Sequence, residues 1–139
     1  MHDVVSGVLD TSVVIDLGVI DHGSLPAEPL ITAITLAELS VGPHAAHTEN
    51  ERAARQARLQ QAEANFDPLP FDAAAARVFG VIAAELRRLG RKPQARSYDV
   101  LIAATAVSQG LPVFTQNAHD FVGIKGLDVY EVGPFDTGE

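Results

Sequence analysis

The sequence predicts a three-layer α/β/α domain around a mainly parallel sheet, and three observations carry that expectation. Short, mainly apolar runs at 4–9, 30–33, 111–115 and 127–132, the first rich in valine, alternate with longer segments of helical character, the order that parallel strands and crossover helices require. The first run shows no polar alternation, as in a strand buried on both faces. Residues 100–107 form an almost unbroken apolar stretch between helix-starting and helix-stopping residues, which places a helix in the middle of the domain.

Taken in order, residues 4–9 give the first strand, and Asp10-Thr11-Ser12 supply helix-starting side chains before Val13-Val14-Ile15-Asp16-Leu17. Residues 21–29 hold two prolines and a glycine and are expected to be a loop. A strand over 30–33 then leads to a helix opening at Thr35 and stopping near Gly42-Pro43. The polar stretch 48–65 reads as a surface helix, with Thr48 and Glu51 spaced as a capping box. Asp67-Pro68-Leu69-Pro70 breaks it, and Asp72 caps a helix whose Ala75, Phe79, Ile82, Leu86 and Leu89 form one apolar stripe. That stripe is most simply core or dimer interface. Arg87, Arg88, Arg91 and Lys92 close this helix, where cations complement the helix dipole. Ser97 opens the apolar helix, and Gly110 and Pro112 stop it. A strand over 111–115, a helical turn over 117–121 and a strand over 127–132 complete the pattern.

A chain of 139 residues suits one domain, taken as 1–132 with 133–139 as a loose tail. No cysteine is present, which rules out disulfides, thiolate metal sites and cysteine nucleophiles. The first seven residues do not read as a signal peptide, and no apolar run approaches a membrane span, so the expected compartment is the cytosol. The net charge of −8 is unfavourable for a nucleic-acid binder. Against that, six of the ten basic residues (Arg77, Arg87, Arg88, Arg91, Lys92 and Arg96) lie in one twenty-residue stretch.

Four acids stand at or near predicted helix starts: Asp10, Glu38, Asp99 and Asp120. Each alone is explained by the helix dipole, and Thr35-x-x-Glu38 has capping-box spacing. Together they form a pattern. Asp10 follows the first strand, Glu38 the second and Asp120 the third, so all three converge on the carboxyl edge of a parallel sheet, where α/β ligand sites occur. Asp99 opens the most apolar helix. Crowded carboxylates repel one another, and oxygen donors without cysteine or an obvious histidine pair select a hard cation such as Mg²⁺ or Mn²⁺. Such a site suits hydrolysis of a phosphodiester by an activated water.

The segments Val8–Asp16, Thr35–Gly42, Arg96–Ala106 and Val113–Phe121 resemble, in order and spacing, the four motifs of PIN-domain nucleases, and most closely the toxins of VapBC toxin–antitoxin pairs. The resemblance implies a Mg²⁺-dependent endoribonuclease (Mn²⁺ as substitute) with Asp10, Glu38 and Asp99 as site acids, Asp10 and Asp99 being the metal ligands. It also implies RNA as substrate, a homodimer, and a small VapB-like antitoxin whose C-terminal segment fills the groove. The fourth motif departs from the family's acidic pattern. Its usual aspartate position falls on Asn117, and Asp120, one helical turn later, is the alternative fourth acid. Thr115 is placed to bond a site carboxylate or to cap a turn, and Arg96 to hold a phosphate, to steady a carboxylate or to be solvated.

Two other readings stay open. A receiver-like phosphoacceptor domain shares the fold class, but it needs a lysine near a late strand, and Lys125 lies in a Gly123–Gly126 loop. A catalytically inactive RNA-binding module would explain Asn117. His44 and His47 have i, i+3 spacing, but Gly42-Pro43 argues against the helix they would share as a metal site.

Overall fold

The computed structural model describes residues 4–92 and 97–134. Four strands, β1 (Ser6–Leu9), β2 (Glu28–Leu30), β3 (Val113–Thr115) and β4 (Val129–Glu131), form one sheet in the order β2-β1-β3-β4, all parallel. Five helices flank it: α1 (Thr11–Ile15), α2 (Ala33–Ala45), α3 (Glu49–Asn65), α4 (Ala73–Arg88) and α5 (Ser97–Ser108). The expected three-layer α/β/α architecture is what the chain adopts.

The two-residue period of the strands assigns the layers. Leu9, Phe114 and Tyr130 point to one face and pack with Val13, Leu36, Leu39, Leu59 and Ala62 from α1, α2 and α3. Val8, Val113 and Val129 point to the other, against Ile102, Ala103 and Ala106 of α5. Behind α5 lies α4, joined to it by Ile82, Leu86, Val100 and Ala104. The apolar helix is therefore central, as its sequence requires. Gly7 is needed for this packing: a Cβ there would stand 2.4 Å from the buried Phe114 ring.

The region 21–45 corrects the sequence reading. The second strand starts at Glu28 and includes Pro29. Because β2 is an edge strand, the missing proline N–H disrupts no inner ladder. Helix α2 starts at Ala33, with Thr32 rather than Thr35 as its cap; the Thr32 hydroxyl accepts from Thr35 N. It also runs through Gly42-Pro43 to Ala45. The proline ring offers no N–H to the Leu39 carbonyl one turn earlier, and the Gly42 carbonyl, left open at the helix end, is met by Arg55 Nη1 at 3.0 Å.

Elsewhere the boundaries move little. Thr48 and Asp72 cap α3 and α4 as expected. Ala75, Ile82 and Leu86 of the α4 stripe are buried, whereas Leu89 lies past the helix end and is 59% exposed. The left-handed Gly90 (φ 76°) turns the chain away at that point. Of the predicted tail, Pro134 bridges to Ile20 and the Gly133 carbonyl accepts from Asp21 N; residues 135–139 lie outside the described residues. No described helix is long and apolar enough to cross a membrane.

Candidate active site

The strand order places β1 between β2, which follows it, and β3, which comes much later. The connections diverge to opposite sides at β1/β3, the point where open α/β sheets form a crevice at their carboxyl edge. Asp10 and Thr115 are the residues found there.

Asp10 directly follows β1 and caps α1. Its Oδ1 accepts from Ser12 Oγ at 2.7 Å and Val13 N at 3.1 Å, and its Oδ2 from Thr115 Oγ1 at 2.5 Å. Both hydroxyls are themselves held by the chain after β3: Gln116 N donates to Ser12 Oγ at 3.2 Å, and Asn117 N to Thr115 Oγ1 at 2.9 Å. Gln116 Nε2 adds bonds to the Ser12 carbonyl and to Asp16 Oδ2, both at 2.9 Å. The carboxylate is thus clamped between the two central strands while only 4% exposed. Burial pushes its pKa up, the hydrogen bonds oppose that, and the Asp120 charge adds to the rise. No cation counters it among the described residues.

Glu38 is in the second turn of α2, outside the first turn where dipole and capping-box explanations apply. Its Oε1 accepts from Thr11 Oγ1 at 2.6 Å, and that hydroxyl contacts Thr35 Oγ1 at 3.0 Å. Thr35 therefore belongs to the support of Glu38, not to a cap. Burial raises the Glu38 pKa first, and the charge of Asp10 adds to it. Glu38 and Asp120, two of the other three candidate acids, are thereby each brought within electrostatic reach of Asp10.

Asp120 lies half-buried in a 3₁₀ turn (Ala118–Phe121) anchored by the buried Phe121. Asn117 is exposed and contributes its backbone N–H to Thr115. Asp99 is half-buried in the first turn of α5. Since α5 ends at the amino end of β3 and runs back over the sheet, its first turn lies at the carboxyl edge, on the side of Asp10. Arg96 lies outside the described residues.

Features with plain structural explanations separate from this site. Arg88 pairs with Glu85 at 2.5 Å, and Lys125 with the same carboxylate at 3.7 Å. Lys125 is 80% exposed, not at the sheet edge where a receiver-like site needs it. His44 is in the last turn of α2 and His47 beyond its end, so the two do not share a helical face.

The sequence reading missed the supporting hydroxyls of Thr11, Ser12 and Thr35, the amide of Gln116, and two arginines of α3. A cleft of about 260 Å³ opens beside Glu38, with Thr11, Arg55 and Arg58 among its walls. It meets a larger groove of about 620 Å³ between α1 and α3, lined by Val14, Leu17, Ala62 and Phe66; Ile15 and Arg58 border both. The position of Thr11 and Ser12 directly after Asp10 was the available signal for the hydroxyls. The arginines had none, because α3 is polar almost all round.

The donor set suits a hard divalent cation. All the donors are oxygens, and a nearly buried carboxylate with only neutral hydrogen-bond partners stands beside two further acids. As they stand, no three such side chains among the described residues form a group able to hold an ion.

Comparisons with known proteins agree with the fold. A family model described as PIN domain matches residues 7–126. Ribonuclease VapC5 of Mycobacterium tuberculosis is 40% identical over 130 residues, covering 91% of this chain and 93% of that protein. Ribonuclease VapC1 of Rickettsia felis is 31% identical over 136 residues, covering 93% and 98%. The crystal structure of VapBC-5 from Mycobacterium tuberculosis, a member of the VapBC family of toxin–antitoxin systems, superimposes with a TM-score of 0.79 at 39% identity, covering 91% of this chain and 98% of that one. From the match over most of its length, the chain belongs to the PIN-domain family and, within it, to the VapC group.

Proposed function

We propose that this protein is a Mg²⁺-dependent endoribonuclease, the toxin of a type II toxin–antitoxin pair, acting in the cytoplasm. The observation that carries the reading is the clamped, buried Asp10 carboxylate with Glu38 and Asp120 beside it at the sheet's carboxyl edge. The names of the relatives, ribonucleases VapC, support the reaction class.

Mg²⁺, or Mn²⁺ in its place, would be held by Asp10 and Asp99, and would supply charge neutralisation at the phosphoryl group and activation of the attacking water. Ser12 and Thr115 fix the Asp10 carboxylate so that it need not reorganise during the reaction. Thr11 holds Glu38 where it can orient a water or a ligand, and Asp120 serves as the fourth acid. Asn117 supports Thr115 through its main chain. Hydrolysis joins the water oxygen to phosphorus and breaks the bond to one ribose oxygen, which leaves with a proton; no covalent enzyme intermediate forms.

A VapB-like antitoxin and a homodimer complete the proposal. Structural neighbours are VapBC complexes, and the α1–α3 groove joins the cleft beside Glu38. An antitoxin segment lying in that groove would reach the site and close it.

The test is cleavage of total cellular RNA by wild type and Asp99→Asn, freed of antitoxin, each with Mg²⁺ and with EDTA. Cleavage by wild type with metal alone supports the reading. No cleavage by wild type, together with no binding of Mg²⁺ or Mn²⁺, overturns it in favour of a non-catalytic RNA-binding module.

A further inference from the structure

We propose that Arg58 grips a backbone phosphate of the substrate strand flanking the scissile one; this rests on the ribonuclease reading above. A site made of carboxylates repels a polyanion, so an enzyme with a net charge of −8 needs a cation set beside the acids but not consumed by them. The three arginines on the middle turns of α3 are not equivalent. Arg52 pairs with Glu49 at 3.6 Å. Arg55 is held by the Gly42 carbonyl at 3.0 Å and lies 4.0 Å from Glu51. Arg58 has no ion pair or hydrogen bond among the described residues, yet it is half-buried and walls the cleft that Thr11 and Glu38 also line.

A half-buried guanidinium in this position faces the cleft and keeps its donors available. Its planar fork matches two phosphate oxygens at once, a geometry that an ammonium group does not provide. The cleft opens from Glu38 along α3, so a strand whose scissile phosphate sits at Asp10 can extend through it past Arg58. At the end of α4, by contrast, Arg88 is taken up by Glu85.

The test measures binding of a short, non-cleavable 2′-O-methyl RNA in EDTA across a salt series, then steady-state cleavage with Mg²⁺. Arg58→Ala is expected to weaken binding about tenfold and to reduce the salt slope by about 0.7, the value for one lost single-strand phosphate contact. In cleavage, KM should rise by a similar factor with kcat within about twofold. Arg58→Lys should restore the slope and part of the affinity. Arg77→Ala, exposed on α4, should change neither. If the alanine variant folds poorly, Arg58→Gln replaces it. Unchanged affinity and slope overturn the proposal, as does a fall in kcat at constant KM. Wild type that neither binds nor cuts RNA instead overturns the ribonuclease reading, and this proposal with it.

Discussion

Thr115 and Asp10 lie 105 positions apart in the chain, yet the hydroxyl of one donates to the carboxylate of the other at 2.5 Å within the buried edge of two paired strands. Replacing Thr115 by valine keeps the shape and removes the donor. We expect a loss of about 1–3 kcal/mol, because a buried acceptor loses its partner. The Asp10 pKa, already raised, should rise further, so the acid limb of the pH–rate profile should move to higher pH. Serine at this position should rescue both readouts. Calorimetry and a pH–rate profile check them.

Asp10 and Glu38 both have pKa values above their ordinary 3.8 and 4.5, through burial first and mutual charge after. A carboxyl raised by folding stabilises the fold fully below its ordinary value and loses that contribution as pH climbs through the raised one. Metal-free protein should therefore gain stability from these groups as pH falls from neutrality toward that window. Asp10→Asn, which can still cap α1, should melt higher than wild type at pH 7 without metal, and show a flatter stability–pH curve. Saturating Mg²⁺ should raise the melting temperature of wild type and leave the variant unmoved. A wild type whose metal-free stability is indifferent to this substitution would contradict the electrostatic account.

The fourth acid can be assigned by two substitutions. Asp120→Asn removes a charge that acts on Asp10 and is expected to cost about 10–100-fold in activity, the range for groups that tune a metal site. Asn117→Ala leaves the N–H that supports Thr115 in place and should stay within about threefold of wild type. The opposite ranking, measured on one RNA substrate, would move the fourth position back to Asn117.

Gly7→Ala tests the core rather than the site. Its Cβ would fall 2.4 Å from the ring of Phe114, which is fully buried and stacks on Tyr130 at 5.1 Å between centroids. The ring has nowhere to withdraw, so we expect destabilisation of about 1–3 kcal/mol. Urea unfolding with an unchanged m-value checks it.

The parts of this fold that the sequence displayed are those where one local rule acted alone. The central helix showed itself because Val100, Ile102, Ala103, Ala104 and Ala106 leave no polar face, and Asp10, Glu38 and Asp120 showed themselves because each follows a strand, Asp99 because it opens that helix. Where two rules competed, the sequence was ambiguous. Thr32 and Thr35 can each cap a helix, and only the packing of Thr35 beneath Thr11 decides between them. Pro29 argues against a strand unless the strand lies at an edge, which is a property of the whole sheet. Arg58 looks like any solvated arginine until α3 docks against α2 and sets it beside Glu38, because partnership is a tertiary property.

The paired relay beneath Asp10, from Gln116 through Ser12 and from Asn117 through Thr115, ties the first motif of the chain to its last. Neither oxygen can swing free unless the seam between the two central strands parts, and those strands are among the last elements to open as the molecule breathes. The Asp10 carboxylate therefore has no loose setting between held and unfolded. Restraint on such a protein has to come as a cover placed over the crevice, because bending what lies beneath it would dismantle the molecule.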